Sequence, residues 1–119
     1  TAKPYGPFAQ CLDLFDGGCV GFAPLAGHTP GSAVMYITLA SGKKFLFVGD
    51  AVWKAEAVAK QRPKMWIPGS IVDNDKALAL QAVGALTRLH ETEPELLIVP
   101  AHDAAIHDAI GAYFPQFVK

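Results

Sequence analysis

The sequence predicts an α/β chain of layered α+β type: one mostly antiparallel sheet with helices on one face. Apolar, β-favouring runs separated by Gly- and Asp-rich turns fill its first half, and clear helical periodicity appears only in the second. Composition agrees. Hydrophobic residues make up 51% of the 119 and charged residues 18%, which is globular and slightly above the usual apolar share of about 45–50%. The length suits one domain or part of one, so residues 1–119 read as a single unit.

Residues 1–10, with two prolines and a glycine, read as an irregular lead-in. Residues 12–15 form a first strand and 19–25 a second, with Asp16-Gly17-Gly18 as the turn of a hairpin. A turn-rich loop over 27–32 leads into a third strand over 33–40, where Val34, Tyr36, Ile37 and Thr38 favour β structure. Ser41-Gly42-Lys43 turns the chain into a fourth strand over 44–48, which runs into Gly49-Asp50. Residues 51–72 are less regular, with one short helix expected near 55–60.

The clearest helix comes next. Asp73, Asn74 and Asp75 offer N-caps and a negative first turn. Leu78, Ala82, Val83, Leu86 and Leu89 recur at helical spacing as one apolar stripe, and Pro94 ends the helix. Residues 96–99 are wholly apolar, as expected of a strand buried on both faces, and a second helix follows over about 104–112. A sheet of this order has helices for one face and nothing left to cover the other, which points to half of a layered sandwich.

A net charge of −1 and a pI near 6.4 give no reason to expect nucleic acid or an anionic membrane as partner. No apolar run approaches the roughly 18 residues of a membrane span, and the N-terminus lacks the pattern of a signal peptide. Cys11 and Cys19 match no zinc spacing and read as reduced packing residues, so a cytoplasmic location is expected. The chain opens at Thr1 without a Met and is expected to be part of something longer.

Three places put a metal-ligand residue just past the end of a strand: His28 in Gly27-His28-Thr29-Pro30-Gly31-Ser32, Asp50 in Val48-Gly49-Asp50-Ala51, and His102 in Val99-Pro100-Ala101-His102-Asp103. Pro30-Gly31 suits the centre of a type II turn, which would fix the backbone carrying His28, and Gly49 allows close backbone approach. Two imidazoles and a carboxylate suit zinc, iron or manganese. Taken singly, a loop His is more often a surface hydrogen-bonding residue, and Asp50 reads equally as a cap. The ordered set of three is far more specific.

That set, with a strand pair between its first two members and a helix before its third, resembles the second half of the metallo-β-lactamase superfamily from about residue 12 to 110. The resemblance implies a four-layer αββα sandwich with one or two divalent metal ions, zinc first and iron or manganese as alternatives, at one edge of the sheets. By the same resemblance His28 is a ligand of the first metal and His102 of the second. Asp50 bridges both and orients the attacking group. The superfamily's His-x-His-x-Asp-His string does not occur here, where the only histidines are His28, His90, His102 and His107. Catalysis by this chain alone is therefore not expected. His90 and His107 read as structural or solvent-facing.

Asp50 stands where true β-lactamases of the superfamily usually carry Cys or Ser, which places the chain nearer the glyoxalase II, lactonase, arylsulfatase and phosphodiesterase-like branches. The implied reaction is hydrolysis of a small-molecule ester, thioester or lactone through a metal-bridging hydroxide in the full-length protein. Trp53 occupies a region where some lactonases place a substrate-contacting Tyr. Met65, Trp66 and Ile67 read either as the wall of an apolar pocket or as packing. Asp103 reads as the N-cap of the last helix, with support of a ligand imidazole as the other reading. Thr29 and Ser32 read as turn-stabilising hydroxyls. Two alternatives stay open: a degenerate or truncated relative that acts by association without catalysis, and an α/β domain whose histidines only pack. The uncovered sheet face is expected to be buried in a homodimer or domain-swapped assembly.

Overall fold

The computed structural model describes residues 2–52 and 76–110. One sheet holds six strands in sequence order: β1 (Ala2–Tyr5), β2 (Phe8–Asp13), β3 (Val20–Pro24), β4 (Ala33–Thr38), β5 (Lys44–Gly49) and β6 (Leu96–Pro100). Helix α1 (Lys76–Thr92) precedes β6 and helix α2 (Ala104–Ile110) follows it. Neighbouring strands pair antiparallel except the last, where β6 runs parallel to β5. This is the mostly antiparallel α/β arrangement expected. The caps at 73–75, the short helix near 55–60, and Trp53, Met65, Trp66 and Ile67 lie outside the described residues.

The lead-in is not irregular. Tyr5 pairs with Phe8 across Gly6-Pro7, and Gly6 takes φ +52°, so these two residues form a hairpin loop with glycine at the position that needs positive φ. Pro4 has no N–H to give a ladder. It sits on an edge strand, where the register shifts between Lys3 and Tyr5. The prolines and glycine that suggested irregularity are the punctuation of an extra hairpin. The strand expected at 12–15 accordingly begins earlier, at Phe8, and ends at Asp13. The Asp13 carboxylate accepts the N–H groups of Phe15 (3.2 Å) and Gly18 (2.7 Å), which draws Leu14 and Phe15 out of the sheet into the turn.

Strand alternation sorts the side chains into two faces. Ala23, Val34, Tyr36, Leu46, Val48 and Ile98 point to a core closed by Ala82, Val83, Leu86 and Leu89 of α1. Leu46, Leu86 and Leu89 are fully buried at its centre. The stripe on α1 departs from expectation at two positions. Leu78 is exposed, whereas Thr87 is buried and its hydroxyl donates to the Val83 carbonyl at 2.9 Å, so it needs no partner outside the helix. Gly21 faces Tyr36 across the ladder, and its missing side chain leaves room for that ring. Tyr36 in turn stacks on Tyr5 at 4.6 Å, tying β1 to the centre of the sheet. Cys11 is buried in this core, but Cys19 is exposed in the β2–β3 turn and is not a packing residue.

The register also defines the opposite face. Leu12, Phe22, Met35, Phe47 and Val99 are successive partners across five strands, and Val20, Ile37, Phe45 and Leu97 form a second apolar row. Leu12 is 52% exposed, and Leu14, Phe22 and Leu97 are exposed as well. Leu97 thus departs from the fully buried strand expected at 96–99, although Phe45 and Val99 on the same side of the sheet are buried and His107 and Ile110 of α2 lie near Phe47 and Val99. Monomers rarely leave so continuous an apolar surface open. The isolated chain is expected to self-associate in dilute solution, read by light scattering after gel filtration. A compact monodisperse monomer would show that this face tolerates water.

A second expectation concerns alkaline pH. Burial first, and then the nearby Glu93 carboxylate, push the Tyr5 hydroxyl up from its ordinary 10.0 to about 12. Between those values the folded chain keeps a proton that the unfolded chain has lost. The contribution to stability is therefore complete below about pH 10 and disappears as the pH climbs through about 12. Tyr5→Phe should flatten the loss of stability with pH in that window, measured by urea denaturation at a series of alkaline pH values.

Candidate metal centre

Strands β3, β5 and β6 run in one direction, because β3 and β5 each pair antiparallel with β4 and β6 is parallel to β5. Their C-terminal ends therefore lie along one edge of the sheet. His28, Asp50 and His102 each follow one of these ends by a few residues.

The loop carrying His28 is braced from both sides. Leu25 N–H donates to the Ser32 carbonyl at 2.9 Å, closing the base of the loop, and Ser32 N–H donates to the Thr29 carbonyl at 3.2 Å, closing a turn over Pro30-Gly31. Gly31 does not take positive φ, which excludes the type II geometry expected of this turn. Side chains brace it in place of that geometry. The Ser32 hydroxyl accepts Thr29 N–H at 3.1 Å and lies 2.8 Å from the Thr29 hydroxyl, so both hydroxyls hold the turn, as their sequence context suggests. On the other side Gly27 lies against α1. A Cβ there would stand 2.8 Å from Ala79 Cα and 2.9 Å from Ala79 N, closer than backbone tolerates, so only glycine lets the loop rest on the helix.

Asp50 sits in a turn closed by Ala51 N–H donating to the Val48 carbonyl at 3.1 Å. Gly49 takes φ +54° at the second position of this turn, and nothing lies within 4 Å of where its Cβ would be. The glycine is required by conformation and not, as its sequence context suggested, by close approach of another chain segment. Ala101 N–H donates to the Gly49 carbonyl at 3.0 Å, which joins the residue before Asp50 to the residue before His102. Asp103 occupies the N-cap position of α2, is buried, and its carbonyl accepts His107 N–H at 3.2 Å.

The three candidate ligands converge. His28 Nε2 lies 3.6 Å from Asp50 Oδ2, and His102 Nε2 lies 2.9 Å from Asp50 Oδ1. Asp50 Oδ1 is buried yet accepts no hydrogen bond, since the close His102 nitrogen is not aligned to donate one. Two donors held by one tetrahedral zinc ion at about 2.0–2.2 Å stand roughly 3.3–3.6 Å apart, so the His28 separation matches that of ligands sharing an ion and the His102 separation is shorter. The three do not form a closed cup. Each imidazole approaches a different oxygen of the same carboxylate, and among the described residues no group of three or more His, Cys, Asp or Glu is arranged to hold a metal ion by itself. Of the other histidines, His90 lies in the last turn of α1, where a cation suits the helix dipole. His107 makes a contact that no sequence pattern announces: its Nε2 lies 2.9 Å from the Pro100 carbonyl.

A sequence model of the metallo-beta-lactamase superfamily matches residues 1–102. No curated protein sequence matches the chain. Among solved structures, an N-acyl homoserine lactone hydrolase with the product N-hexanoyl-L-homoserine bound at its catalytic metal centre superposes with a TM-score of 0.70. The two are 21% identical, over 91% of this chain and 39% of that one. A variant of AiiA from B. thuringiensis with N-decanoyl-L-homoserine at its active site gives the same values. A quorum-quenching N-acyl homoserine lactone lactonase gives 0.65 and 22% identity, over 83% of this chain and 38% of that one. At these identities the likeness is one of fold, and the chain spans about two fifths of the length of the structures it matches.

Gly27→Ala should lift the His28 loop from α1. The expected cost is about 1–3 kcal/mol in denaturant stability, the usual range for overpacking a close contact. An unchanged midpoint would mean that the loop is not seated on the helix.

Proposed function

The chain belongs to the metallo-β-lactamase superfamily, and we propose that it is the part of a metal-dependent hydrolase that gives His28, Asp50 and His102 to a two-metal centre acting on an ester, thioester or lactone. The observation that carries this reading is the carboxylate of Asp50, which presents one oxygen to each imidazole and leaves the buried one without a hydrogen bond. A carboxylate placed so is suited to bridge two cations, with His28 and His102 as terminal ligands on either side. The donor set of two imidazole nitrogens and a carboxylate favours zinc, with iron or manganese as alternatives. Such ions, when bound, supply a water whose pKa falls from about 15.7 towards 7 and a Lewis acid for the substrate carbonyl.

The chain's own residues set geometry. The Gly27–Ser32 loop and the turn at Gly49 hold His28 and Asp50 from their backbones, so little conformational entropy remains to be lost on binding. Remaining ligands must come from outside the described residues, in keeping with a chain that spans only part of its structural relatives. Lactones are the first substrates to assay, because one structure of similar fold, a lactone hydrolase, holds its N-acyl homoserine product at its catalytic metal centre and another holds an N-acyl homoserine at its active site. Water adds to the lactone carbonyl, the ring C–O bond breaks, and the ring oxygen leaves as the hydroxyl of an N-acyl homoserine.

The test uses the full-length protein. Replacing His28 and His102 together with Ala should remove most bound metal, read by elemental analysis of the purified protein, and lower lactone hydrolysis by at least about a hundredfold, beyond the effect of a single outer ligand partner. Unchanged metal content would leave the histidines with packing roles only. A full-length protein that folds yet takes up no metal would favour a relative acting by association.

A further inference from the structure

His102 is 67% exposed, so packing does not hold its ring. Its position depends on the backbone of the short segment between β6 and α2, and there the contacts of His107 concentrate. The ring Nε2 of His107 lies 2.9 Å from the Pro100 carbonyl. A carbonyl only accepts, so this nitrogen carries the proton and donates. The backbone N–H of the same residue donates to the Asp103 carbonyl at 3.2 Å. One residue thus grips the chain on both sides of the Ala101-His102 pair, while Ala101 N–H is fixed to the Gly49 carbonyl. An apolar cavity of about 280 Å³, lined by Phe47, Val99, Pro100, His107 and Ile110 among others, lies alongside.

From this arrangement we infer that His107 is a positioning residue for His102: its Nε2–H donation to Pro100 fixes the β6–α2 segment so that the His102 imidazole meets Asp50. The inference rests on the reading of His102 as a metal ligand. It asks of His107 one specific thing, a donor at the Nε2 position, and not ring bulk or charge. Gln can place an N–H near that point, whereas Phe fills the same space without a donor.

The experiment compares wild type, His107→Phe, His107→Gln and His102→Ala in the full-length protein. Each is titrated with zinc in the metal-free state, and exchange of the Ala101 amide is followed in the same state. His107→Phe is expected to weaken zinc binding by about tenfold, the lower end of the effect of losing an outer partner of a ligand, and to speed Ala101 exchange. His107→Gln should restore both to within about threefold of wild type, a small part of that outer-partner effect. Equal impairment of the Phe and Gln variants, or loss of folding in both, overturns the proposal by assigning His107 to bulk or stability. Wild-type zinc binding by His107→Phe, alongside loss of zinc by His102→Ala, overturns it while the metal reading stands. Full zinc binding by His102→Ala overturns the metal reading itself, and this proposal with it.

Discussion

Strands that run the same way through a sheet end on the same side of it. In this chain β3, β5 and β6 share a direction, although β6 is separated from β5 by about two fifths of the sequence. The residues that leave these strands are brought to one edge by pairing alone, before any side chain chooses a partner. Asp50 and His102 become neighbours because Gly49 and Pro100 are registered across the parallel pair. His28 joins them because Gly27 lets its loop lie against α1. The position of the candidate site is thus a property of the ladder, and its fine geometry belongs to glycines and backbone hydrogen bonds.

Much of this was legible in sequence, for physical reasons that can be named. Runs such as Ala33–Thr38 and Lys44–Gly49 carry the β-favouring residues that a pleated surface selects, and they folded close to where their pattern placed them. The stripe of α1 was readable at its centre and misleading at Leu78, which is exposed. The first hairpin was missed because Pro4, Gly6 and Pro7 weigh against a strand when counted as residues, and become compatible with one only when Pro4 is known to sit at an edge. At the site, residue types and order disclosed the three candidate ligands. The braces were hidden. Ser32 substitutes side-chain hydrogen bonds for a type II turn, and the contact of His107 with Pro100 spans a strand end and a helix, which no local periodicity encodes.

The open sheet face and the open donor set have a common character. Among the described residues, each is organised on one side and incomplete on the other: two rows of apolar side chains that leave Leu12, Phe22 and Leu97 exposed, and a carboxylate with an imidazole at each oxygen but too few donors to enclose an ion. The apolar share of 51% fits this, since a chain that must offer a face to another layer carries more apolar surface than its own core consumes. The structures the chain resembles in fold are more than twice its length.

The parallel pair also sets an order of events. Hairpin partners such as β4 and β5 meet after closing a loop of a few residues, whereas β6 must find β5 across about forty-six. Loop-closure entropy makes that step roughly 2 kcal/mol more costly than the hairpin's. The antiparallel strands can assemble early, and β6 arrives last, bringing His102 to a carboxylate already in place. Reversal of that order would open first the edge that gathers the candidate ligands. Occupancy of that edge would then report whether the chain has completed its fold, and a ligand bound there would draw its stabilising effect mainly from holding the final strand.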